Sequence, residues 1–103
     1  MITEDRNDPR LKQVLSNGQQ EAYLVLSEEE RAKGFVRPVR RSYEHIACHG
    51  VTTMGLALSE TYARDPSFYG GTFCAVCGKH FHLRNLDASP AFLWTADGTP
   101  VGD

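Results

Sequence analysis

A pair of cysteines, Cys74 and Cys77, followed directly by Gly78, constrains this chain more than any other feature of its sequence. A Cys-x2-Cys spacing lets a tight turn direct both sulfur atoms at one tetrahedral metal ion. A glycine after the second cysteine allows the left-handed backbone that such a turn uses. The pair therefore predicts a metal knuckle, by which we mean a short turn that contributes two side chains to a metal site.

The chain of 103 residues contains three cysteines, which cannot all form disulfide bonds within it. A redox-active dithiol is the main alternative to metal ligation for the Cys-x2-Cys pair. A thioredoxin-like dithiol, however, lies at the start of a helix within a βαβ pattern. Here Phe81 and Leu83 indicate a short strand after the knuckle instead. Metal ligation is therefore the preferred interpretation, and a metal would add substantially to the stability of so small a domain.

A second knuckle is predicted upstream, where His45 and Cys48 repeat the two-residue spacing. A structural zinc site needs four ligands, typically one pair from each of two chain segments. Cys48 is the only cysteine left for such a site, so the fourth ligand must come from a histidine. We therefore predict a tight structural Zn2+ site, and its four ligands are His45, Cys48, Cys74 and Cys77.

The other three histidines remain alternatives to His45 as the fourth ligand. His80 has a usable spacing from the second knuckle cysteine, but it would crowd three ligands into seven residues. His49 directly follows Cys48, so an extended backbone would turn its side chain away. His82 is the last histidine candidate, and a water molecule in the fourth position would leave the metal open to substrate.

Enzymatic activity has little support in the sequence. Neither a His-x-Glu deaminase pattern nor a His-Glu-x-x-His pair is present, although these are common in zinc enzymes. A nucleophile pair of Cys48 and His49 is the other candidate, but catalytic partners normally meet across a fold rather than as sequence neighbours. We expect no catalytic residues, and a zinc enzyme with an open coordination position remains an alternative.

The densest basic cluster of the chain lies in one segment and includes Arg37, Arg40 and Arg41. Pro38 within it favours an extended edge over a central paired strand. Such an edge can serve simply to resist strand-to-strand aggregation. Alternatively, the arginines bind a partner, because their forked guanidinium groups suit both carboxylate and phosphate. We take these three arginines as the candidate partner-binding residues, together with Tyr43 and Tyr69 as exposed aromatic residues.

Charge and hydropathy limit the expected partners and location. The formal net charge is -2 and the sequence pI is near 6.0, whereas general nucleic-acid binders usually carry a surplus of lysine and arginine. A protein partner is therefore preferred and nucleic acid remains an alternative. No apolar run near Met1 suits a signal peptide, and none reaches membrane-spanning length. We expect a cytoplasmic protein with no membrane contact, and no small-molecule substrate is evident.

Two patterns predict helices. Ser27 and Glu30 match a capping box, in which the serine oxygen accepts the glutamate N–H and the glutamate side chain reaches back. Farther along, apolar residues recur at helical spacing and predict an amphipathic helix of about three turns from Thr53 to Arg64. Its N-cap is expected to be Thr52 or Thr53, and Gly55 suggests close packing near its start.

These elements predict a small α+β domain of zinc-ribbon type. We expect a short antiparallel sheet with one amphipathic helix placed between the two knuckles. Residues 1–20 are predicted to form a polar N-terminal arm, and residues 21–103 the zinc-ribbon-like domain. The predicted core residues are Leu24, Leu26, Phe35, Ile46, Met54, Leu58, Tyr62, Phe73, Phe81, Phe92 and Trp94.

Three stretches of the chain, residues 26–40, 52–66 and 68–77, resemble a group of short uncharacterised zinc-knuckle proteins of bacteria and their phages. The resemblance implies a compact cytosolic protein, in the bacterium itself or in the host of a phage, whose two knuckles belong to one site. The function expected first is a non-enzymatic, zinc-stabilised interaction or regulatory module that acts on a host protein. A nucleic-acid-binding zinc ribbon is the first alternative.

Overall fold

The computed structural model describes residues 1–103, whose secondary structure consists of short elements joined by turns. A 3-10 helix at Pro9–Lys12 lies between the first two strands. The strands and α-helices, in chain order, are β1 (Ile2–Thr3), β2 (Tyr23–Leu24), α1 (Glu28–Arg31), β3 (Ser42–His45), β4 (Val51–Thr53), α2 (Leu56–Arg64), β5 (Gly71–Cys74), β6 (Lys79–His82) and β7 (Phe92–Trp94).

The strands form three small sheets. The largest is antiparallel with the order β4-β3-β7, and β5 and β6 form an antiparallel hairpin. Strands β1 and β2 pair in parallel, so the N-terminal residues predicted as a polar arm contribute a strand. On the central strand β3, Tyr43 and His45 are buried and alternate with less buried residues, as expected for a sheet with one face on the core. The protein is thus of the α+β class, with α2 between the two knuckles in sequence.

Helix α1 begins as predicted at a serine cap. The hydroxyl oxygen of Ser27 accepts a hydrogen bond from the N–H of Glu30 at 3.1 Å. The Glu30 carboxylate pairs with Lys33 at 2.8 Å and Arg64 at 3.4 Å. The second half of the expected capping box is therefore replaced by ion pairs, one of which joins α1 to α2.

Helix α2 begins at Leu56, later than predicted. Both threonines predicted as caps belong to strand β4 and use their hydroxyl groups elsewhere. The Thr52 hydroxyl accepts a hydrogen bond from the N–H of Ala75 at 3.0 Å. The Thr53 hydroxyl forms a hydrogen bond with the Ser42 hydroxyl at 2.7 Å. Gly55 is the N-cap instead, and a Cβ added there would meet no atom within 4 Å. The expected close packing at this glycine was therefore wrong.

The core lies between α2 and the sheets. Five of the predicted core residues are buried: Met54, Tyr62, Phe73, Phe92 and Trp94. Two predictions were wrong, since Phe35 is 44 % and Ile46 36 % exposed. Tyr43 was predicted to be exposed but is buried, because it lies on the central strand with its ring edge-on to two core aromatic rings. No helix of the protein is long and apolar enough to cross a membrane.

Candidate metal centre

The four predicted ligands come together at one point. Their ligand atoms all lie within 4.8 Å of one another. The sulfur of Cys48 is 3.5 Å from that of Cys74 and 3.3 Å from Nδ1 of His45, and the sulfur of Cys77 is 3.7 Å from the same nitrogen. Thiolates bound to one tetrahedral zinc ion lie about 3.7 Å apart. The cluster therefore has the dimensions needed to hold a metal ion.

The first knuckle is shaped by the turn that follows β3. The N–H of His49 donates to the carbonyl of His45 at 2.7 Å, and the N–H of Gly50 donates to the sulfur of Cys48 at 3.3 Å. His49 itself has a positive φ of 61°, and its side chain points to solvent beside Glu44. This backbone conformation separates His49 from the cluster and leaves His45 and Cys48 facing the same side.

The second knuckle follows β5 and has the expected glycine turn. The N–H of Gly78 donates to the carbonyl of Cys74 at 2.8 Å, and Gly78 has a left-handed φ of 71° within this tight turn. The N–H of Cys77 donates to the sulfur of Cys74 at 3.4 Å. Such N–H groups stabilise negative charge on a thiolate sulfur, so the turn is suited to a metal-bound cysteine.

Packing fixes the orientation of His45. Its imidazole packs against the rings of both Phe81 and Phe92, with centroid distances of 4.3 and 4.7 Å. Burial lowers the pKa of His45. A neutral imidazole is the form that binds metal, and here Nδ1 is the nitrogen beside the sulfurs.

The proton affinities of the thiols show what the cluster requires. Desolvation is the largest effect on the Cys77 thiol. Together with the nearby Cys48 and Cys74, it raises the pKa of Cys77 to about 11. Desolvation also acts on Cys74, but the N–H of Cys77 and the neighbouring thiols outweigh it and lower the pKa of Cys74. Three thiolates cannot share so small a volume without a compensating positive charge. A bound cation would supply that charge and displace the protons.

The remaining histidines lie outside the cluster. Nε2 of His80 bonds with the hydroxyl of Tyr23 at 2.9 Å, and its ring lies 5.2 Å from that of Phe73. His82 is exposed at the end of β6. Of the four candidates considered from the sequence, only His45 is placed to complete the site.

The three predicted partner-binding arginines do not form one exposed surface. Arg40 is buried, and its guanidinium pairs with Asp97 at 3.0 Å while lying 4.8 Å from the centre of the Trp94 ring. Its expected accessibility was wrong, because the acidic and aromatic partners come from a distant part of the sequence. Arg37 and Arg41 are exposed, although each donates to a backbone carbonyl.

Sequence reasoning missed a cavity of about 140 Å³ beside the start of α2. Four tyrosines contribute to its walls, yet none of the four cluster residues does. The only signal in the sequence was the number of tyrosines, which does not reveal that they converge. Tyr69, predicted to be an exposed contact residue, is one of them, and its hydroxyl donates to the carbonyl of Leu24.

Neither protein-family models nor curated proteins nor solved structures yield a match to this chain. The chemistry of the site therefore rests on its own residues. Three thiols and one imidazole, without a carboxylate among them, form a soft ligand set. Such a set favours zinc over the oxygen-loving ions calcium and magnesium.

Proposed function

We propose that this protein is a non-enzymatic interaction module that is stabilised by structural zinc. The observation that carries the proposal is the grouping of the four ligand atoms within 4.8 Å of one another, with separations of 3.3, 3.5 and 3.7 Å that are close to the edges of a tetrahedron around one ion. Sulfur and nitrogen ligands in this geometry are typical of zinc. Structural zinc sites can contribute on the order of 10 kcal/mol of apparent binding free energy to folding.

A closed coordination sphere supports a structural role over a catalytic one. Catalytic zinc sites keep one position for water or substrate, whereas structural sites take all four ligands from the protein. Here Cys48, Cys74, Cys77 and His45 would supply four ligands, and the histidine packs against two phenyl rings. Zinc in this cluster would tie the turn after β3 to the turn between β5 and β6. That arrangement of two linked knuckles is the reason to regard the fold as zinc-ribbon-like.

The surface best suited to a protein partner is the exposed segment of residues 32–39. Its apolar members Phe35, Val36 and Val39 are 44, 57 and 38 % exposed. The N–H groups of Val36 and Arg37 both donate to the carbonyl of Ala63, at 2.9 and 3.1 Å. Apolar side chains grouped on an ordered surface segment are typical of interaction sites.

Charge near this segment indicates what the partner should offer. Arg37 lies within the segment and Arg41 shortly after it, and both are exposed. The complementary surface would combine an apolar depression with acidic side chains. If the bacterial or phage origin implied by the resemblance holds, this partner is a host protein in the cytoplasm. The burial of Arg40 and the net charge of -2 argue against a surface that binds the phosphate backbone of nucleic acid.

Metal analysis tests the zinc part of the proposal. Purified protein is expected to contain one zinc per chain, and a strong chelator is expected to lower its melting temperature sharply. Cobalt substitution should give the absorption of a tetrahedral sulfur-rich site. Protein without stoichiometric zinc and with an unchanged melting curve in chelator would contradict this part.

Partner capture tests the interaction part. Wild-type protein and a Phe35→Asp/Val36→Asp variant would be used as bait in a lysate of the bacterium that encodes the chain or hosts its phage. Any captured protein would then be purified and its affinity measured directly. We expect at least a tenfold loss of affinity in the variant. No loss is expected in the control Leu86→Asp, which changes an exposed apolar residue outside the segment. Binding to generic DNA or RNA that weakens steeply with salt would instead favour the nucleic-acid alternative.

A further inference from the structure

A cavity of about 140 Å³ lies beside the start of α2 and is not explained by the metal cluster. We call it the tyrosine cavity. Residues from β4, β5 and the first turn of α2 contribute to its walls, and none of its 13 lining residues carries a charge. Thr53 and Gly55 line it and are exposed, so the cavity opens to solvent on that side.

Four tyrosines line this cavity, and three of them use their hydroxyl groups within the protein. Tyr43 donates to the carbonyl of Phe73, Tyr69 donates to the carbonyl of Leu24, and Tyr23 bonds with His80. These bonds fix the positions of three aromatic walls. The cavity is therefore shaped by groups that are already satisfied, as is usual for a preformed binding site.

Tyr62 is the exception among the four. The residue is only 3 % exposed, and its hydroxyl bonds to no carbonyl or histidine as those of the other three tyrosines do. Thr72 lies close to it but donates its own hydroxyl proton to Tyr43 at 3.0 Å. Burial raises the pKa of Tyr62, so its hydroxyl keeps its proton and remains a donor. The Tyr62 hydroxyl is not one of the fully buried polar atoms that lack a partner, so water or Thr72 reaches it, and an acceptor atom of a bound molecule would exchange for that contact.

The size and the walls of the cavity define the class of ligand. A cavity of about 150 Å³ accommodates one benzene molecule, so the tyrosine cavity has room for a single six-membered ring. The rings of Tyr62 and Tyr69 lie 4.8 Å apart at its wall, and Met54 and Leu58 add apolar surface. No lysine, arginine or histidine is present to hold an anion.

From this geometry we propose that the tyrosine cavity binds a small neutral molecule with one ring, whose polar atom accepts a hydrogen bond from Tyr62. The apolar walls contact the ring, and the Tyr62 hydroxyl determines its orientation. None of the four cluster residues lines the cavity, so this binding site does not depend on the metal being zinc.

Phenol is the probe that tests the proposal, because it is neutral at pH 7 and combines one ring with one acceptor oxygen. It would be titrated into the full-length protein while the NMR signals of the Met54 methyl group and the Thr72 methyl group are followed. We expect saturable shifts at both positions. Benzoate is expected to bind more weakly, since its carboxylate would lose water without gaining a cation. The absence of saturable shifts up to about 10 mM phenol would overturn the proposal, because a dissociation constant above this concentration corresponds to less than about 3 kcal/mol of binding free energy.

Two pairs of variants locate the site. Tyr62→Phe is expected to weaken phenol about fivefold, the effect of losing one neutral hydrogen bond, and to leave benzene binding unchanged. Tyr69→Phe is its control, because the Tyr69 hydroxyl already donates a hydrogen bond to the carbonyl of Leu24. Leu58→Trp should fill the cavity and abolish binding, whereas Leu86→Trp, at an exposed position, should not. Equal phenol binding in wild type, Tyr62→Phe and Leu58→Trp would show that the probe binds elsewhere and would overturn the proposal. If Leu58→Trp does not fold, the comparison of wild type with Tyr62→Phe decides alone.

Discussion

The imidazole of His45 stacks on the ring of Phe92, with 4.7 Å between the ring centroids and 23° between the ring planes. The ring of Phe81 also contacts this imidazole, with 4.3 Å between the centroids. Metal-binding histidines are usually oriented by a hydrogen bond to their second nitrogen, but here two phenyl rings of the core hold the imidazole. The candidate metal cluster is therefore packed directly on the hydrophobic core, to which Cys74 and Phe92 belong, and loss of one should weaken the other.

The metal ligands should be essential for stability, while neighbouring histidines should not. We expect Cys48→Ser and His45→Ala to lose stoichiometric zinc and most of the folding free energy, because structural zinc contributes on the order of 10 kcal/mol. Metal content and urea unfolding would measure both effects. His49→Ala is the control, since that exposed side chain lies outside the cluster. Full zinc content in His45→Ala, together with loss of zinc in His49→Ala, would show that His45 is not the ligand.

The arginine cluster provides a second test, because two of its members differ only in their surroundings. Arg40 is buried in a pair with Asp97 and lies over Trp94, whereas Arg37 is exposed. Removing one partner of a fully buried ion pair costs about 3–5 kcal/mol. Since Asp97 is 36 % exposed and can be solvated, we expect Arg40→Ala to cost about 2 kcal/mol. Arg37→Ala should stay within about 0.5 kcal/mol of wild type. Equal effects in urea unfolding would contradict the assigned burial.

The difference between these arginines shows what the sequence could predict. The grouping of the four predicted ligands could be anticipated, because two-residue spacings within a knuckle are local features. The Ser27 cap of α1 could be found for the same reason. Arg40 and Tyr43 could not, because their burial depends on β7 and on Asp97, which lie about fifty residues away in the chain. Local patterns predict local geometry, and the burial of a residue is decided by distant partners.

The start of α2 shows a second kind of limit. Thr53 has the side chain of a good N-cap, and nothing nearby in the sequence disfavours that role. In the structure it pairs with Ser42 across the sheet, so the strand takes precedence over the helix. The tyrosine cavity is a similar case, since the four tyrosines that line it come from distant parts of the chain.

A glycine in the N-terminal turn should be unusually sensitive to substitution. Gly18 has a φ of 91°, and a Cβ there would overlap the carbonyl oxygen of Gly78 in the second knuckle. Gly18→Ala must therefore bear the left-handed strain of about 1–2 kcal/mol and also separate this turn from the knuckle. Gly34→Ala is the matched control, because its φ is also positive but its Cβ would meet no atom within 4 Å. Urea unfolding should show a clearly larger loss of stability for Gly18→Ala, and equal losses would mean that the close approach is unimportant.

The tyrosines should make the protein sensitive to alkali. Burial raises the pKa of all four, and that of Tyr43 to about 12. A group whose pKa is raised by folding stabilises the folded state fully below its unfolded pKa, which is about 10 for tyrosine. That stability is then lost as the pH rises from about 10 towards the folded pKa values. Tyrosinate absorbance, followed together with near-ultraviolet circular dichroism, should show a native midpoint well above the one in denaturant. A native midpoint near 10 with the circular dichroism still intact would show that the tyrosines are not buried as described.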